Sequence, residues 1–214
     1  MNFMKRFKLF LKRLFDITTS LMLIIFLSPL ILVLAFLIWV KLGRPIIFAQ
    51  QRLGYQGEPF RLLKFRTMTM ERDGEGNLLA DADRMTGIGR FLRSTSLDEL
   101  PELLNVLIGD MSAVGPRPLL MEYKDLYTDE QWRRHEMPPG MAGPVLASGR
   151  NALSWEEKFT QDVWYVDNWS LWLDIKILYQ TVISVLKREG TNAEGHVTMP
   201  RFEGNKREIS HDEA

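Results

Sequence analysis

A long uncharged run occupies residues 17–40, ITTSLMLIIFLSPLILVLAFLIWV, with Ser28-Pro29 near its middle. An apolar helix of about 20 residues is long enough to span the hydrocarbon core of a bilayer. A signal peptide fits poorly, because its apolar region is shorter than this run and no small-residue cleavage site is evident. The run therefore predicts a membrane-embedded segment. We interpret the rest of the chain as a domain whose chemistry takes place at a bilayer surface.

Two features favour a helix that enters one leaflet and returns over a helix that crosses. Pro29 lacks an N–H and clashes with the preceding turn, so a kink or break is expected at Ser28-Pro29, where the Ser28 hydroxyl can satisfy the freed carbonyl. Lys and Arg collect on cytoplasmic flanks. Basic residues stand on both sides of the run, namely Lys5, Arg6, Lys8, Lys12 and Arg13 before it and Lys41, Arg44 and Arg52 after it. We predict a re-entrant hairpin broken at Ser28 and Pro29, with an ordinary spanning helix as the alternative.

The composition excludes several classes of function. Lys+Arg and Asp+Glu are both 27, so the net charge is zero and a general nucleic-acid surface is not expected. The chain has no cysteine, which excludes disulfides, thiolate nucleophiles and cysteine-zinc sites. Its three histidines are scattered without metal-ligand spacing. Several tryptophans fall close together, where they suit a membrane interface or a core equally well, namely Trp155, Trp164, Trp169 and Trp172.

The pattern along the chain predicts a mostly α fold with a short β-hairpin. Residues 46–51 and 59–66 suit the two hairpin strands, with Gly54 and Gly57 in the turn. Helical spacing of apolar residues marks residues 97–108, 155–165 and 170–188. Strands do not alternate with helices, so no Rossmann-type sheet is expected. We predict a membrane segment at 1–45, a compact domain at 46–190 and a polar C-terminal tail at 191–214.

Two adjacent carboxylates, Asp98 and Glu99, form the most suggestive stretch for chemistry, within Ser96-Leu97-Asp98-Glu99-Leu100-Pro101-Glu102. A carboxylate can attack an activated phosphorus and form an acyl phosphate. Helix capping explains much of the same pattern, because Ser96 and Glu99 have capping-box spacing and Asp98 could itself be the N-cap. Both interpretations stay open on the motif alone.

Basic side chains are candidates for binding phosphate. Lys64 and Arg66 alternate along a predicted strand, so they lie on one side of it. Arg117 is held between Pro116 and Pro118, where a preorganised guanidinium suits a phosphate or a planar base. The further candidates are Arg90 and Arg93, upstream of the carboxylates, and Arg150 within Gly149-Arg150-Asn151.

Taken together, these residues resemble the bacterial sugar transferase family of monotopic polyprenyl-phosphate phosphoglycosyl transferases, in particular its small PglC-like members. The resemblance covers roughly residues 5–190. It is carried mainly by Lys12-Arg13, Ser28-Pro29, Gln51-Arg52, residues 64–68, residues 97–101, residues 109–112 and residues 114–118. One loop departs from the family pattern, because Ala142 and Leu146 replace its usual Thr and Gln.

The resemblance implies a re-entrant membrane helix joined to a cytoplasmic domain with amphipathic helices at the interface of the bacterial inner membrane. It implies transfer of a sugar-1-phosphate from a UDP-sugar to undecaprenyl phosphate, with release of UMP. Asp98 would be the nucleophile, and Glu99 would help to hold Mg²⁺ with Asp98 or act as a base. Lys64, Arg90 and Arg93 would contact phosphate, and Arg117 the nucleotide. An N-acetylated amino sugar, such as N,N′-diacetylbacillosamine, and N-linked glycoprotein assembly would follow from the PglC-like likeness.

Other interpretations remain open from the sequence. A hexose-1-phosphate transferase that initiates capsule, exopolysaccharide or O-antigen synthesis keeps the family and changes the substrate. A non-catalytic membrane scaffold of a glycan-assembly complex keeps the fold without the chemistry. The oligomeric state also stays open, with a homodimer as one option.

Overall fold

A computed structural model describes residues 3–147, 153–187 and 201–204 of the chain. It begins with a long helix, α1 (Phe3–Leu42). The later helices are α2 (Asp81–Arg84), α3 (Gly87–Ser94), α4 (Glu102–Ile108), α5 (Asp129–Trp132), α6 (Pro144–Ala147), α7 (Trp155–Asn168) and α8 (Leu171–Lys187). The strands are β1 (Ile47–Leu53), β2 (Pro59–Phe65), β3 (Ser112–Val114) and β4 (Gly140–Ala142). The prediction of a mostly α fold is confirmed, and the predicted hairpin is the antiparallel pair of β1 and β2.

Helix α1 presents apolar side chains outward. Within the described residues, one helix, Phe7–Leu42, is long and apolar enough to cross a membrane, and only 11% of its most apolar window is buried. A core helix of a soluble protein would be mostly buried. The exposed apolar side chains include Met22, Ile25, Phe26, Leu32, Val33 and Phe36. Such a surface requires an apolar medium, which agrees with membrane association.

Both arms of α1 return to the same part of the domain. Arg13 donates a hydrogen bond of 2.6 Å to the carbonyl of Val106 in α4, and Leu34 belongs to one apolar core with Leu103 of the same helix. A straight helix rises about 1.5 Å per residue, so it would place Leu34 about 31 Å from Arg13, whereas α4 is only about 10 Å long. A bend between the two arms, where Ser28-Pro29 lies, would account for both contacts.

Helix α1 continues through Ser28-Pro29 with Pro29 inside it, and the hydrogen bonding there is repaired locally. In a regular helix the N–H of residue 29 would donate to the carbonyl of Ile25, and Pro29 has none to give. The Ser28 hydroxyl donates to that same carbonyl over 2.8 Å. The sequence-based prediction for this hydroxyl is confirmed, and the apolar environment does not leave the Ile25 carbonyl unpaired.

A buried polar cluster fastens the first arm of α1 to the domain. Lys12 is almost fully buried and donates to Asp174 of α8 over 2.7 Å and to the Val114 carbonyl over 2.9 Å. Tyr165 donates to Asp174 over 2.7 Å. One turn along, Asp16 accepts hydrogen bonds of 2.9 Å from the Ser112 hydroxyl and the Ala113 N–H. Each charge is thus matched by an opposite charge or by donors, which buried ions require.

Helix α8 turns an apolar face away from the domain. Its inner side holds Asp174 and Ile177, both buried, while Trp172, Ile175 and Tyr179 are exposed. This arrangement is typical of a helix lying in a membrane interface. The tryptophans divide accordingly, because Trp169 donates to Asp174 inside the domain and Trp172 is exposed outside it.

Three parts of the fold differ from the sequence-based description. The helix predicted at 97–108 is divided into a 3₁₀ turn, Leu97–Glu99, and α4. Residues 112–114 and 140–142 pair as parallel strands β3 and β4, although the second segment had the composition of a loop. Phe202, in the predicted polar tail, is buried against Tyr123, Trp155 and Phe159, because a lone aromatic residue in a polar stretch gives no periodic signal.

We predict that Lys12→Met lowers the free energy of unfolding by about 3–5 kcal/mol, because it leaves Asp174 as a buried charge without its cation. Denaturant unfolding of the detergent-solubilised protein measures the change. Glu130→Gln, which removes one of the exposed partners of Arg133, is the matched control and should cost less than about 1 kcal/mol. Equal effects of the two variants would show that Lys12 does not stabilise the fold through its charge.

Candidate active site

A cavity of about 940 Å³ opens between the β1–β2 hairpin, the turn at residues 96–99 and α7. It brings together most of the residues that the sequence singled out. Those that line it are Lys64, Arg66, Arg93, Asp98, Glu99 and Arg117. They come from separate parts of the chain, so the fold assembles a cationic site around the two adjacent carboxylates.

The carboxylates stand on a strained turn. Ser96 has φ +56°, in the left-handed region that non-glycine residues rarely occupy. Its side chain makes no capping hydrogen bond, and the N-cap of α4 is Pro101, also without one. The capping interpretation of Asp98 and Glu99 is therefore wrong for this turn, and backbone strain of this kind is often found at functional sites.

Asp98 is buried but chemically unengaged. Among the described residues none donates a hydrogen bond to its carboxylate, and the side chain lines the cavity. Burial and the neighbouring Glu99 raise its pKa, while Lys64, Arg93 and Arg117 act in the opposite direction. A carboxylate held among cations, with its oxygens uncommitted, is arranged to meet an anionic electrophile.

Glu99 is held in its ionised form. Its Oε1 accepts from Lys64 Nζ over 2.7 Å and from Arg117 Nη2 over 2.6 Å. Burial alone would raise the pKa of Glu99, but Arg117 and Lys64 hold it far below its usual range. The pKa of Arg117 is raised in turn, chiefly by Glu99. Because such an acid keeps its charge near neutral pH, Glu99 is suited to anchoring cations and poorly suited to accepting a proton.

A third carboxylate, Glu102, belongs to the same cluster, although the sequence pattern gave it no separate role. It is buried, and its Oε1 lies 3.2 Å from Lys64 Nζ. Burial, and then repulsion by Glu99, raise the pKa of Glu102 to about 7. Its position three residues after Glu99, on the same helical side, is a signal that could have identified it.

The arginines near the carboxylates have different roles. Arg93 lines the cavity and donates from Nε to the Thr67 hydroxyl over 3.1 Å. Helix α3 can approach this closely because Gly89 has no side chain, since a Cβ there would lie 1.9 Å from the Thr67 carbonyl oxygen. Arg90 is exposed, does not line the cavity, and contacts the Met85 carbonyl. Of this pair, the structure therefore brings Arg93 to the site and leaves Arg90 outside it.

Arg66 lines the cavity but is largely committed to backbone. Its Nη1 donates to the Arg44 carbonyl over 3.1 Å, and Nη2 donates to the carbonyls of Gly43, over 2.8 Å, and Leu42. The guanidinium thus caps the C-terminus of α1, which agrees better with positioning than with the predicted phosphate contact. Arg150, the remaining candidate, lies outside the described residues.

The loop that carries Arg117 is braced from behind. Arg134 is buried, pairs with Asp162 over 2.7 Å and donates to the Arg117 carbonyl over 2.7 Å. Gly115 and Gly140 pack with their backbones in contact, since a Cβ on Gly140 would lie 1.9 Å from the Gly115 nitrogen. Ala142, one of the departures from the family loop, contributes its carbonyl to the Gly115 N–H over 2.9 Å. The side chain of Leu146 is not among those described.

The cavity is also lined by residues that sequence reasoning did not assign to the site. They are Arg52, Arg134, Trp155, Lys158 and Asp162. Arg134 and Asp162 are 28 residues apart, so no local sequence spacing predicts that they pair. This part of the lining is mostly cationic and aromatic, which suits the phosphates and base of a nucleotide.

The carboxylate pair fits a magnesium ion that binds together with substrate phosphates. The described residues contain no cluster of three or more His, Cys, Asp or Glu able to enclose a metal. Magnesium is commonly held by one or two carboxylates and completed by phosphate and water. Asp98 has both oxygens uncommitted, and no hydrogen bond from the described residues reaches Glu99 Oε2. The donor set therefore fits Mg²⁺ at Asp98 and Glu99.

The chain is similar to proteins of one family over most of its length. Residues 7–188 match the family model described as bacterial sugar transferase. The chain is 56% identical over 195 residues to "Uncharacterized sugar transferase EpsL" of Bacillus subtilis, covering 91% of this chain and 96% of that protein. It is 36% identical over 197 residues to "Exopolysaccharide production protein ExoY" of Sinorhizobium fredii, covering 84% and 87%.

A longer relative carries a more specific name. The chain is 42% identical over 212 residues to "Undecaprenyl-phosphate galactose phosphotransferase" of Salmonella typhimurium, covering 88% of this chain and 43% of that protein. The chain thus spans almost the whole of the Bacillus relative and less than half of the Salmonella one.

We predict that Glu102→Gln becomes increasingly favourable as the pH rises. The folded state raises the pKa of Glu102 from 4.5 to about 7, so the folded protein binds this proton more tightly than the unfolded chain. Wild-type stability is therefore lost as the pH rises between those values, and glutamine escapes the loss. The free energy of unfolding of the variant, relative to wild type, should increase by about 1–3 kcal/mol from about pH 5 to about pH 8.

Denaturant unfolding at a series of pH values tests this expectation. Glu71→Gln, at an exposed position outside the cavity, is the matched control and should show no comparable change. A constant difference between Glu102→Gln and wild type across the range would mean that Glu102 stays ionised in the folded protein.

Proposed function

The chain belongs to the bacterial sugar transferase family, and on that premise we propose that it transfers a hexose-1-phosphate from a UDP-hexose to undecaprenyl phosphate. The observation that carries the proposal is Asp98, a buried carboxylate without a hydrogen-bond donor among the described residues, lining a cavity with Lys64, Arg93 and Arg117. It is an enzyme of the phosphoglycosyl transferase type. A scaffold would have no use for this uncommitted carboxylate among cations.

The relatives support surface polysaccharide synthesis better than N-linked protein glycosylation. The Salmonella protein is named for galactose phosphotransfer to undecaprenyl phosphate, and the Sinorhizobium protein for exopolysaccharide production. We therefore favour a hexose over the N-acetylated amino sugar that the PglC-like resemblance suggested. The same cavity and nucleophile would serve either donor, so the choice concerns the sugar and not the chemistry.

In the first step Asp98 attacks the β-phosphorus of the UDP-sugar. A bond forms between a carboxylate oxygen and phosphorus, and the bond from phosphorus to the bridging oxygen breaks, with UMP as the leaving group. Arg117 and Lys64 lie beside the developing negative charge, and Glu99 fixes both cations before the substrate arrives. Preorganised charges of this kind lower the barrier without rearrangement during the reaction.

In the second step an oxygen of undecaprenyl phosphate attacks the same phosphorus, and the bond to Asp98 breaks. The products are undecaprenyl-diphospho-sugar and free enzyme. We assign Glu99 to charge anchoring rather than to proton transfer, because its pKa lies far below neutral. Mg²⁺, bound by Asp98 and Glu99 Oε2, would supply further charge neutralisation at the phosphate oxygens.

The arrangement of α1 supports a monotopic protein of the cytoplasmic membrane. Both arms of the bent helix contact one domain, so both of its basic flanks belong to the same side of the membrane. Helix α8 offers an exposed apolar face at which the domain can rest on the bilayer. This placement gives one cavity access to a water-soluble nucleotide sugar and to a lipid phosphate.

We predict that purified protein releases UMP from one donor of a UDP-sugar panel in the presence of undecaprenyl phosphate and Mg²⁺. The panel contains UDP-galactose, UDP-glucose and N-acetylated amino-sugar donors. Asp98→Asn should lower turnover by about 10³-fold or more, because amide nitrogen and oxygen cannot replace a carboxylate nucleophile. Intact mass after incubation with donor alone should show a phosphosugar adduct in wild type and none in the variant.

Asp125→Asn is the matched control, since Asp125 is exposed and lies away from the cavity. It should retain wild-type turnover and adduct formation. Near-normal activity of Asp98→Asn would remove Asp98 as nucleophile, and the absence of UMP release and of any adduct with the whole panel would favour the scaffold.

We also predict that both ends of α1 are labelled from one side of the membrane. Because the chain contains no native cysteine, single cysteines at Lys8, Lys41 and the exposed domain residue Glu71 can be probed with an impermeant maleimide in sealed vesicles of known orientation. All three positions should react from the same side. Labelling of Lys8→Cys from the side opposite to Glu71→Cys would instead indicate a spanning helix.

A further inference from the structure

Ser96 is a cavity residue whose hydroxyl the fold does not use. The residue lines the cavity that contains Asp98 and is half-buried. No described residue exchanges a hydrogen bond with its hydroxyl, and the hydroxyl is not one of the unpartnered atoms that the fold encloses. Because this donor is both free and accessible, it is available to a substrate that enters the cavity.

The other hydroxyls of the cavity lining are occupied or enclosed. The Thr67 hydroxyl accepts a hydrogen bond of 3.1 Å from Arg93 Nε. The Thr69 hydroxyl is buried inside the fold, so a ligand cannot reach it. Among the described residues that line the cavity, Ser96 is therefore the one that offers an open hydroxyl.

The main chain at Ser96 requires a left-handed residue but not a serine. Helix α3 ends at Ser94 with Thr95 as its C-cap, and Ser96 takes the next position, where a left-handed residue closes many helices. Its φ is +56°, its N–H donates to the Arg93 carbonyl over 3.2 Å, and its carbonyl accepts from the Glu99 N–H over 3.2 Å. Glycine adopts this conformation without the steric cost of a Cβ. The fold alone would favour glycine here, so the strained serine points to a function for its side chain.

Ser96 stands in the chain between a phosphate-binding cation and the reactive carboxylate. It follows Arg93 by three residues and precedes Asp98 by two, and all three line the cavity. A further cation at this position would pair with Asp98 and reduce its reactivity. A neutral hydroxyl can donate to a phosphate oxygen without this effect.

We propose that the Ser96 hydroxyl donates a hydrogen bond to a non-bridging oxygen of the phosphoryl group that is transferred to Asp98. The inference rests on the proposed function and adds a catalytic residue to it. The proton stays on Ser96 Oγ, and no covalent bond forms there. Enzymes accelerate phosphoryl transfer mainly by positioning the phosphorus and by aiming donors at its oxygens. The left-handed backbone fixes the direction of this donor before the substrate binds.

Ser96 is poorly suited to be the nucleophile itself. A serine hydroxyl must give its proton to a base as it attacks. No described residue accepts a hydrogen bond from Ser96, whereas Asp98 is a carboxylate and needs no such base. Variants that lack the hydroxyl should therefore still form the phosphosugar adduct, but more slowly.

Ser96→Ala and Ser96→Gly test the inference through the rate of adduct formation, measured by rapid quench and intact mass with the UDP-sugar donor alone. Both variants should react about 10–100-fold more slowly than wild type, because each removes the hydroxyl. The donor concentration that gives the half-maximal rate should change by less than about threefold, since the contact matters most in the transition state. Ser94→Ala is the matched control. Ser94 is exposed, lies outside the cavity and donates to the Phe91 carbonyl, so its loss should leave the rate unchanged.

The glycine variant separates the hydroxyl from the backbone. It places an unstrained residue in the left-handed region and should melt within about 3 °C of wild type in detergent, so misfolding would not explain a slow reaction. A wild-type rate in Ser96→Gly would show that Ser96 contributes only its main-chain conformation and would overturn the inference. Complete absence of adduct in both variants, after incubation about a thousandfold longer than wild type needs, would assign the phosphosugar to Ser96 and also overturn it. A wild type that forms no adduct and releases no UMP would instead overturn the proposed function on which the inference rests.

Discussion

The buried contact between Lys12 and Asp174 is the interaction on which the arrangement of the molecule depends. It joins the first arm of the membrane helix to the last described helix, and Tyr165 and the Val114 carbonyl complete the cluster around it. A charged lysine in an apolar helix would otherwise be costly, so the helix is stable in this position only against the domain. With the first arm fixed, Leu34 and Ile38 of the second arm pack into the apolar core that also contains Leu103 of α4.

The charges in the active site are also matched by opposite charges, with Asp98 as the exception. Lys64 pairs with Glu99 and Glu102, and Arg117 pairs with Glu99. Two cations are therefore fixed before any substrate binds. Asp98 is buried and accepts no hydrogen bond from the described residues. The cluster therefore stabilises its framework through Glu99 and leaves the carboxylate of Asp98 without hydrogen bonds, which suits the nucleophile that we propose.

Much of this could be predicted from sequence because the signals are local. The apolar run, the proline at its centre, the hairpin around Gly54 and Gly57 and the adjacent carboxylates each occupy a short stretch. The resemblance to the family then joined Asp98 to its cations. What escaped prediction depends on distant contacts, such as the β3–β4 pairing and the Arg134–Asp162 brace. Arg66 shows the limit most clearly, because its alternation with Lys64 gave no sign that its terminal nitrogens bind the carbonyls at the end of α1.

That cap has a mechanical consequence. Arg66 donates hydrogen bonds to the carbonyls at the end of the membrane helix. Only Phe65 separates it in sequence from Lys64, which donates to Glu99. The end of strand β2 therefore connects the membrane helix to the carboxylates over a short distance. The depth at which α1 settles in the lipid fixes the height of Asp98 above the bilayer surface. The same height determines how far a lipid headgroup must move out of the bilayer to reach Asp98.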